Sequence, residues 1–192
     1  RGLASPIVLG DAESIQQAAE EAGVALDDIQ LIDPRDNERS ADYVKAYVER
    51  REVKEGIARR MVKKPLFFGG MMVAMGDAHT MVAGGAHATA TVIQAGALTI
   101  GLSPGIETVS SFFLMVLPEY AGQKDCPVVF ADCAVTIDPN AAQLADIALA
   151  SCASASKLLA EPPRVGMLSF SSKGSAAHEM VDKVTEALAI IK

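Results

Sequence analysis

Tryptophan is absent and only 5% of the 192 residues are aromatic. That leaves no stacking platform of the kind that holds single-stranded nucleic acid. A basic surplus is lacking as well: the net charge is −7 at neutral pH, the wrong sign for a protein that grips phosphate backbones over a broad surface. A small anion held in one pocket stays open. The three cysteines, Cys126, Cys133 and Cys152, are an odd number with no CxxC, which excludes a disulfide framework and a structural zinc site and fits a reducing cytosol. No GxGxxG follows a strand and no GxxxxGK[ST] occurs, so the two commonest nucleotide fingerprints are missing. Charge is missing altogether from positions 78 to 106. A membrane span does not explain that run, because it holds five Gly, two His, several Thr, a Gln and a Pro and offers no continuous apolar segment of about 20 residues.

What is present is apolar: half of the residues, with eight Met, enough to bury a core of one or two domains. Ten of the 17 basic residues fall between positions 35 and 64, against six acids. That stretch reads either as a solvated helix face with Glu–Arg pairs such as Glu55 and Arg59, or as an anion funnel. Eight of the 15 glycines lie between Gly69 and Gly105, where polar, uncharged loops in a buried layer suit the lining of a ligand cleft. The chain opens on Arg1-Gly2-Leu3 without a signal segment and ends inside a helical-looking run at Lys192. It therefore reads as a fragment.

The pattern of elements predicts an α/β fold with largely parallel sheets. Strands are expected at Pro6–Leu9 and Ile29–Ile32, and a helix over Ala12–Ala22, capped by Asp11 and ended by Gly23. Ser40 is expected to cap a long amphipathic helix divided near Gly56, and Pro65 to open another that runs to Met75. Val109–Leu117 and Val128–Ala131 read as buried strands. A βαβα unit follows, with Asp138 as helix cap, a helix to Ala160, a strand at Val165–Phe170 and a helix from Ala176. The change of composition at Lys64/Pro65 sets the expected boundary between residues 1–64, part of a first α/β domain, and residues 65–192, a second domain carrying the cleft loops.

The stretch Ser169-Phe170-Ser171-Ser172-Lys173-Gly174-Ser175, between an expected strand and a helix start, offers hydroxyls, an ammonium and backbone N–H groups to a phosphate. Its other reading is a plain turn made of good turn formers. His87 stands either as a hydrogen-bonded core residue or as a cleft residue. Asp77 and Asp132 are isolated carboxylates, each a cap or a polar group facing the cleft. His79 and His87 are eight apart, not four, so no metal pair is indicated.

The blocks Gly76-Asp77-Ala78, Met81-Val82-Ala83-Gly84, Ala86-His87-Ala88-Thr89, Val109 to Pro118, Phe130-Ala131-Asp132-Cys133-Ala134-Val135 with Asp138-Pro139-Asn140, and Met167 to Ser175 together resemble the phosphate acetyltransferase (phosphotransacetylase) family. They run in one order over essentially the whole chain. Phosphate butyryltransferases and the C-terminal domain of certain malic enzymes are alternatives within the same superfamily. The resemblance implies acetyl transfer between coenzyme A and phosphate, a two-domain fold of the isocitrate/isopropylmalate dehydrogenase type, a homodimer and a cytoplasmic location. It implies coenzyme A as substrate and no further cofactor, metal, nucleic-acid or membrane partner. It places Arg50 against coenzyme A phosphates, Ser169, Ser171, Ser172, Lys173, Gly174 and Ser175 against phosphate or acetyl phosphate, and His87, Thr89 and Gln94 along the cleft. Two departures stand out: Gln94 where the family has Arg, and Ala83 where it has Ser. The family's C-terminal Ser-Arg-Gly block and its nearby Asp base have no counterpart, so no catalytic residue is assigned. A non-catalytic acetyl-coenzyme A or acyl-phosphate binding domain is the alternative function.

Overall fold

The computed structural model describes residues 2–159, 161–172 and 174–192. The chain forms two compact units, Arg1–Gly101 and Leu102–Lys192. The composition change at Lys64/Pro65 falls inside the first of them.

In the first unit, strands β1 (Ile7–Leu9) and β2 (Gln30–Ile32) pair in parallel, with Val8 opposite Leu31. Helix α1 (Ala12–Ala22) joins them; its cap is Asp11, whose carboxylate accepts the Ser14 N–H at 2.9 Å, and Gly23 ends it at φ 64°. Arg35 then bridges the carboxyl ends of both strands through Asp33 (2.7 Å) and Asp11 (3.0 Å). Four helices follow: α2 (Ser40–Arg51), α3 (Glu55–Val62), α4 (Pro65–Met75) and α5 (Thr89–Thr99). Pro65 stands in the first turn of α4, where a missing N–H costs nothing. Leu66 to Met72 are all buried, as a helix that is apolar all round requires.

The core of this unit joins Tyr43 and Tyr47 of α2, Ala58 and Val62 of α3, and Phe67, Phe68 and Met71 of α4. Tyr43 meets Phe68 edge to face at 5.0 Å between ring centres. Each such buried aromatic contributes about 1.5–3 kcal/mol by leaving water. Helix α5 approaches α4 closely at one point: a Cβ on Gly70 would lie 2.0 Å from Thr99 Oγ1. The hydroxyl of Thr99, fully buried there, donates to Ala95 O at 2.7 Å.

Two expectations for the basic segment are corrected. The long helix breaks at Glu52, which takes a left-handed φ of 51°, so the division lies four residues before Gly56. Ser40 is not the cap but the first helical residue, after Arg39, and its buried hydroxyl has no hydrogen-bond partner among the described residues.

In the second unit the largely parallel reading gives way to an antiparallel hairpin. Strands β3 (Phe112–Tyr120) and β4 (Gln123–Ala131) pair from Phe112 opposite Ala131 to Tyr120 opposite Gln123. Ala121 (φ 51°) and Gly122 (φ 80°) make the two-residue turn, whose right-handed strand twist demands positive φ at both positions. Pro118 therefore lies within a strand, one residue past the expected end at Leu117. The expected buried strands are mostly exposed: Phe113 and Phe130, directly opposite, keep 58% and 52% of their surface in solvent. Helix α6 (Ala141–Leu158) is capped by Asn140, which forms a reciprocal capping box with Gln143; Asp138 instead pairs with Lys183 at 2.7 Å. The expected end at Ala160 lies outside the described residues. Val165–Phe170 joins no sheet among the described residues, and α7 (Glu179–Ile191) starts three residues later than expected, with His178 Nδ1 accepting the Met180 N–H. Ala141, Ala145 and Ala187 let α6 and α7 pack closely.

Candidate functional site

Helix α5 organises the first unit's candidate residues. Its amino end follows the Gly84–Gly85 loop, where the His87 N–H donates to Gly84 O at 3.1 Å. His87, Thr89 and Gln94 are all exposed. Ala88, at the cap position, has no side-chain oxygen to offer the first turn, so the positive end of the helix dipole is left without a side-chain cap there. An imidazole, a hydroxyl and a helix amino terminus form an anion-receptive edge.

The carboxyl end of α5 is held by two arginines from the last turn of α2. Arg50 donates to Thr99 O (3.2 Å) and to Ala74 O at the end of α4 (3.1 Å). Arg51 donates to Leu98 O (2.8 Å) and to Ala97 O. Guanidinium groups satisfy carbonyls that a helix end leaves without partners, and they complement its negative dipole end. Arg50 and the His87 edge thus stand at opposite ends of one 11-residue helix, roughly 16 Å apart at 1.5 Å per residue. This clamp is invisible in the sequence, where both arginines belong to the basic stretch and the resemblance places Arg50 against coenzyme A phosphates.

Asp77 is not a free carboxylate. The Tyr43 hydroxyl donates to it at 2.7 Å and Arg39 at 2.9 Å. The Tyr43 hydrogen bond first, and then Arg39, hold the Asp77 carboxyl below the usual range. Burial first and the neighbouring carboxylate second push the Tyr43 phenol up to about 12. Arg39 also stacks over the Tyr43 ring at 5.5 Å. This cluster ties the loop after α4 to the start of α2 and so fixes where the chain leaves for the His87 segment.

In the second unit, Asp132 collects donors. Its carboxylate accepts the Ser111 hydroxyl and the N–H groups of Ala134 (2.9 Å), Val135 (3.1 Å) and Thr136 (2.9 Å). Partial burial works to raise the carboxyl, but the Ser111 hydroxyl and these N–H groups outweigh it and hold it well below the ordinary carboxylate range. Ser111 Oγ accepts in turn from the N–H of Cys133 (3.2 Å) and Ala134 (3.0 Å). Asp132 is therefore a turn-forming acceptor and not the helix cap that was one of its two expected roles, since α6 is capped by Asn140. Asp146, unremarked in the sequence, does similar duty by accepting the N–H groups of Glu107 and Thr108.

The serine loop closes on itself. Ser169 Oγ donates to Ser171 O (2.9 Å), Ser171 Oγ lies 3.1 Å from Ser175 Oγ, and Ser175 Oγ accepts the Ser172 N–H (3.2 Å). The Ala176 N–H donates to Ser171 Oγ at 3.0 Å. Gly174 supplies a φ of 80°. Lys173, expected to contribute the ammonium, lies outside the described residues. These bonds realise the turn reading; a phosphate would have to exchange some of them for its own oxygens. Among the described residues, no three His, Cys, Asp or Glu side chains gather as metal ligands, and no helix is long and apolar enough to cross a membrane.

Among the described residues the elements define a mixed α/β protein with one small parallel and one small antiparallel sheet. A family model described as Phosphate acetyl/butaryl transferase matches residues 1–192. The phosphate acetyltransferase of Thermoanaerobacterium thermosaccharolyticum is 42% identical over 195 residues, covering 100% of this chain and 58% of that protein. That of Nitratidesulfovibrio vulgaris is 40% identical over 196 residues, covering all of this chain and 27% of its own length. Among solved structures, a phosphotransacetylase from Streptococcus pyogenes superposes with a TM-score of 0.85 at 37% identity, over 99% of this chain and 57% of that one. EutD phosphotransacetylase from Staphylococcus aureus gives 0.84 at 35% identity, over 97% and 55%. The chain belongs to the phosphate acetyl/butaryl transferase family, and it spans little more than half the length of three of these four relatives.

Proposed function

We propose that the protein bearing these residues moves an acetyl group between coenzyme A and phosphate. The observation that carries this is the family match along all 192 residues, with 42% identity to a protein named phosphate acetyltransferase. In the reaction the coenzyme A sulfur attacks the carbonyl carbon of acetyl phosphate as a thiolate, and the thiol proton ends on the departing phosphate or in the solvent. A tetrahedral oxyanion forms, the C–O bond to phosphate breaks, and acetyl-coenzyme A and phosphate leave. Positioning and donors aimed at the oxyanion supply the acceleration.

Within that reading the His87–Thr89 edge at the amino end of α5 and the Ser169–Ser175 loop receive anionic oxygens. Gln94, exposed five positions after Thr89 on α5, is the third residue assigned to the cleft. Arg50 meets coenzyme A phosphates by exchanging its carbonyl contacts for bonds in which the acceptor is charged as well as the donor. The proposal extends to a two-domain dehydrogenase-type fold for the whole protein, a homodimer and a cytoplasmic location, as the family resemblance implies. The test is coenzyme A-dependent release of phosphate from acetyl phosphate, with Lys173→Ala weakening acetyl phosphate more than coenzyme A and Arg50→Ala doing the reverse. Equal effects of both substitutions on both ligands would refute the assignment.

A second reading rests on Gln94 and Ala83, which stand where the family has Arg and Ser: a domain that binds acetyl-coenzyme A or an acyl phosphate without turnover. Losing the guanidinium removes about 1.5–3 kcal/mol of charge-assisted contact. Tight binding with no acyl exchange would favour it.

A further inference from the structure

The segment that carries His87 is fastened by packing before it and after it. It leaves α4 at Gly76, and Ala78 packs against the core of the first unit. Met81 is half-buried, whereas every residue from Val82 to Thr91 is exposed, Val82 keeping 95% of its surface in solvent. Val92, on α5, packs against the core again. The backbone bond from the His87 N–H to Gly84 O ties the exposed stretch only to itself. Gly84 and Gly85 within it restrain the backbone less than any other residue would.

Met81 is seated on a glycine. A Cβ built on Gly69 of α4 would lie 3.1 Å from Met81 Sδ, 3.5 Å from Met81 Cγ and 3.1 Å from Leu9 Cδ1. The thioether therefore rests against the bare backbone of α4, on the side where Leu9 ends β1. Gly69 is buried inside a helix, where glycine is destabilising relative to alanine and is kept for a packing or functional reason. Methionine, unbranched and polarizable, follows such an irregular seat closely. Asp77, held by Tyr43 and Arg39, fixes the chain where it leaves α4. Met81, four residues on, is the last half-buried residue before the exposed stretch begins.

We propose that Met81 is a positioning residue for the His87–Thr89 edge: its seat on Gly69 sets where the exposed segment starts, so that the edge is presented in one place. This rests on the reading of that edge as a receiver of phosphate oxygens in acyl transfer. Without the seat the segment visits many arrangements. A ligand that needs one of them then binds more weakly, in proportion to the fraction of molecules that hold it. Arg50 is held by carbonyls at the other end of α5 and at the end of α4, so coenzyme A is not weakened by the same loss.

Three variants of the protein that bears these residues test this. Met81→Ala removes the contact, Met81→Leu refills the seat with a side chain of similar volume, and Gly69→Ala pushes the thioether out of it. Met81→Ala is expected to raise KM for acetyl phosphate about tenfold, as a competent fraction of about one tenth requires, with KM for coenzyme A within about twofold. Met81→Leu should restore most of the difference. A mere loss of folded protein would lower the rate per chain and leave both KM values where they were. Gly69→Ala should resemble Met81→Ala when made alone and add little to it in the double variant, where the new methyl meets only Leu9 Cδ1. Elastase, which cuts after small residues, gives a readout that needs no turnover. Cleavage between Val82 and Ala88, located by mass spectrometry, should accelerate severalfold in Met81→Ala and Gly69→Ala and return to the wild-type rate in Met81→Leu. A wild-type protein without activity would refute acyl transfer, and the seat would stand or fall on these cleavage rates. Unchanged cleavage in Met81→Ala, or KM values that move together for the two substrates, would overturn the proposal.

Discussion

Replacing Asp132 by Ala removes the acceptor for four donors at once: the Ser111 hydroxyl and the N–H groups of Ala134, Val135 and Thr136. Each net hydrogen bond contributes about 1 kcal/mol and more when the acceptor is charged. The site is only half-buried, so water recovers part of the loss. A destabilisation of about 3 kcal/mol is expected, read from urea unfolding. Amide exchange of Ala134, Val135 and Thr136 should accelerate selectively, because those N–H groups lose their partner. Asp132→Asn keeps one acceptor oxygen and should fall between the two. The pH dependence follows from the lowered carboxyl. A group whose folded pKa lies below its unfolded value stabilises fully above the unfolded value, near 4, and loses that contribution as pH falls toward the folded one. Wild-type stability should therefore be flat from pH 7 to 5 in this respect and decline below 4, and Asp132→Ala should show a shallower decline. A loss under 1 kcal/mol with an unchanged acid profile would show that Asp132 does not hold the 111–136 turn.

Arg51→Ala should cost about 2 kcal/mol and Arg50→Ala about 1, since Arg51 is half-buried with a 2.8 Å bond whereas Arg50 is exposed with bonds of 3.1–3.2 Å; denaturant midpoints in the reverse order would count against the clamp on α5. Gly70→Ala should destabilise by about 1–3 kcal/mol through overpacking on Thr99. Adding Thr99→Ala should recover part of that loss, and strict additivity in the double-mutant cycle would argue against the close approach. Asp77→Asn removes the charge that Tyr43 and Arg39 both address; the Tyr43 phenol, held up partly by that carboxylate, should then ionise at lower pH in a spectrophotometric titration, and an unmoved titration would contradict the pairing.

Local signals carried much of the first unit. Asp11 before Ala12 and Gly23 after Ala22 bound α1 because a cap carboxylate and a left-handed residue act within one turn. Pro65 opened α4 for the same local reason. Local signals failed where two of them competed or where the partner was distant. Asp138-Pro139 looked like a helix start, but Asn140 and Gln143 form the reciprocal box, and Asp138 is drawn to Lys183, 45 residues away. The apolar run after Val109 promised burial, yet composition does not distinguish a strand covered on both faces from a hairpin whose faces stand open. Gly56 seemed the natural helix break, but it sits within α3, and Glu52 takes the left-handed turn. Among the candidate site residues, His87 lies in the loop before α5 and Thr89 at its first position, both exposed. The carbonyl partners of Arg50 and Arg51 were not legible, because they lie 24 to 49 residues away and belong to backbone that every residue shares.

Acetyl transfer is the central claim, and its most direct test is the formation of acetyl-coenzyme A from acetyl phosphate and coenzyme A by the protein that bears these 192 residues, followed through thioester absorbance. The account predicts turnover that requires both substrates and releases one phosphate per thioester formed. Binding of coenzyme A and acetyl phosphate with no thioester produced would contradict it and leave a ligand-binding domain in its place.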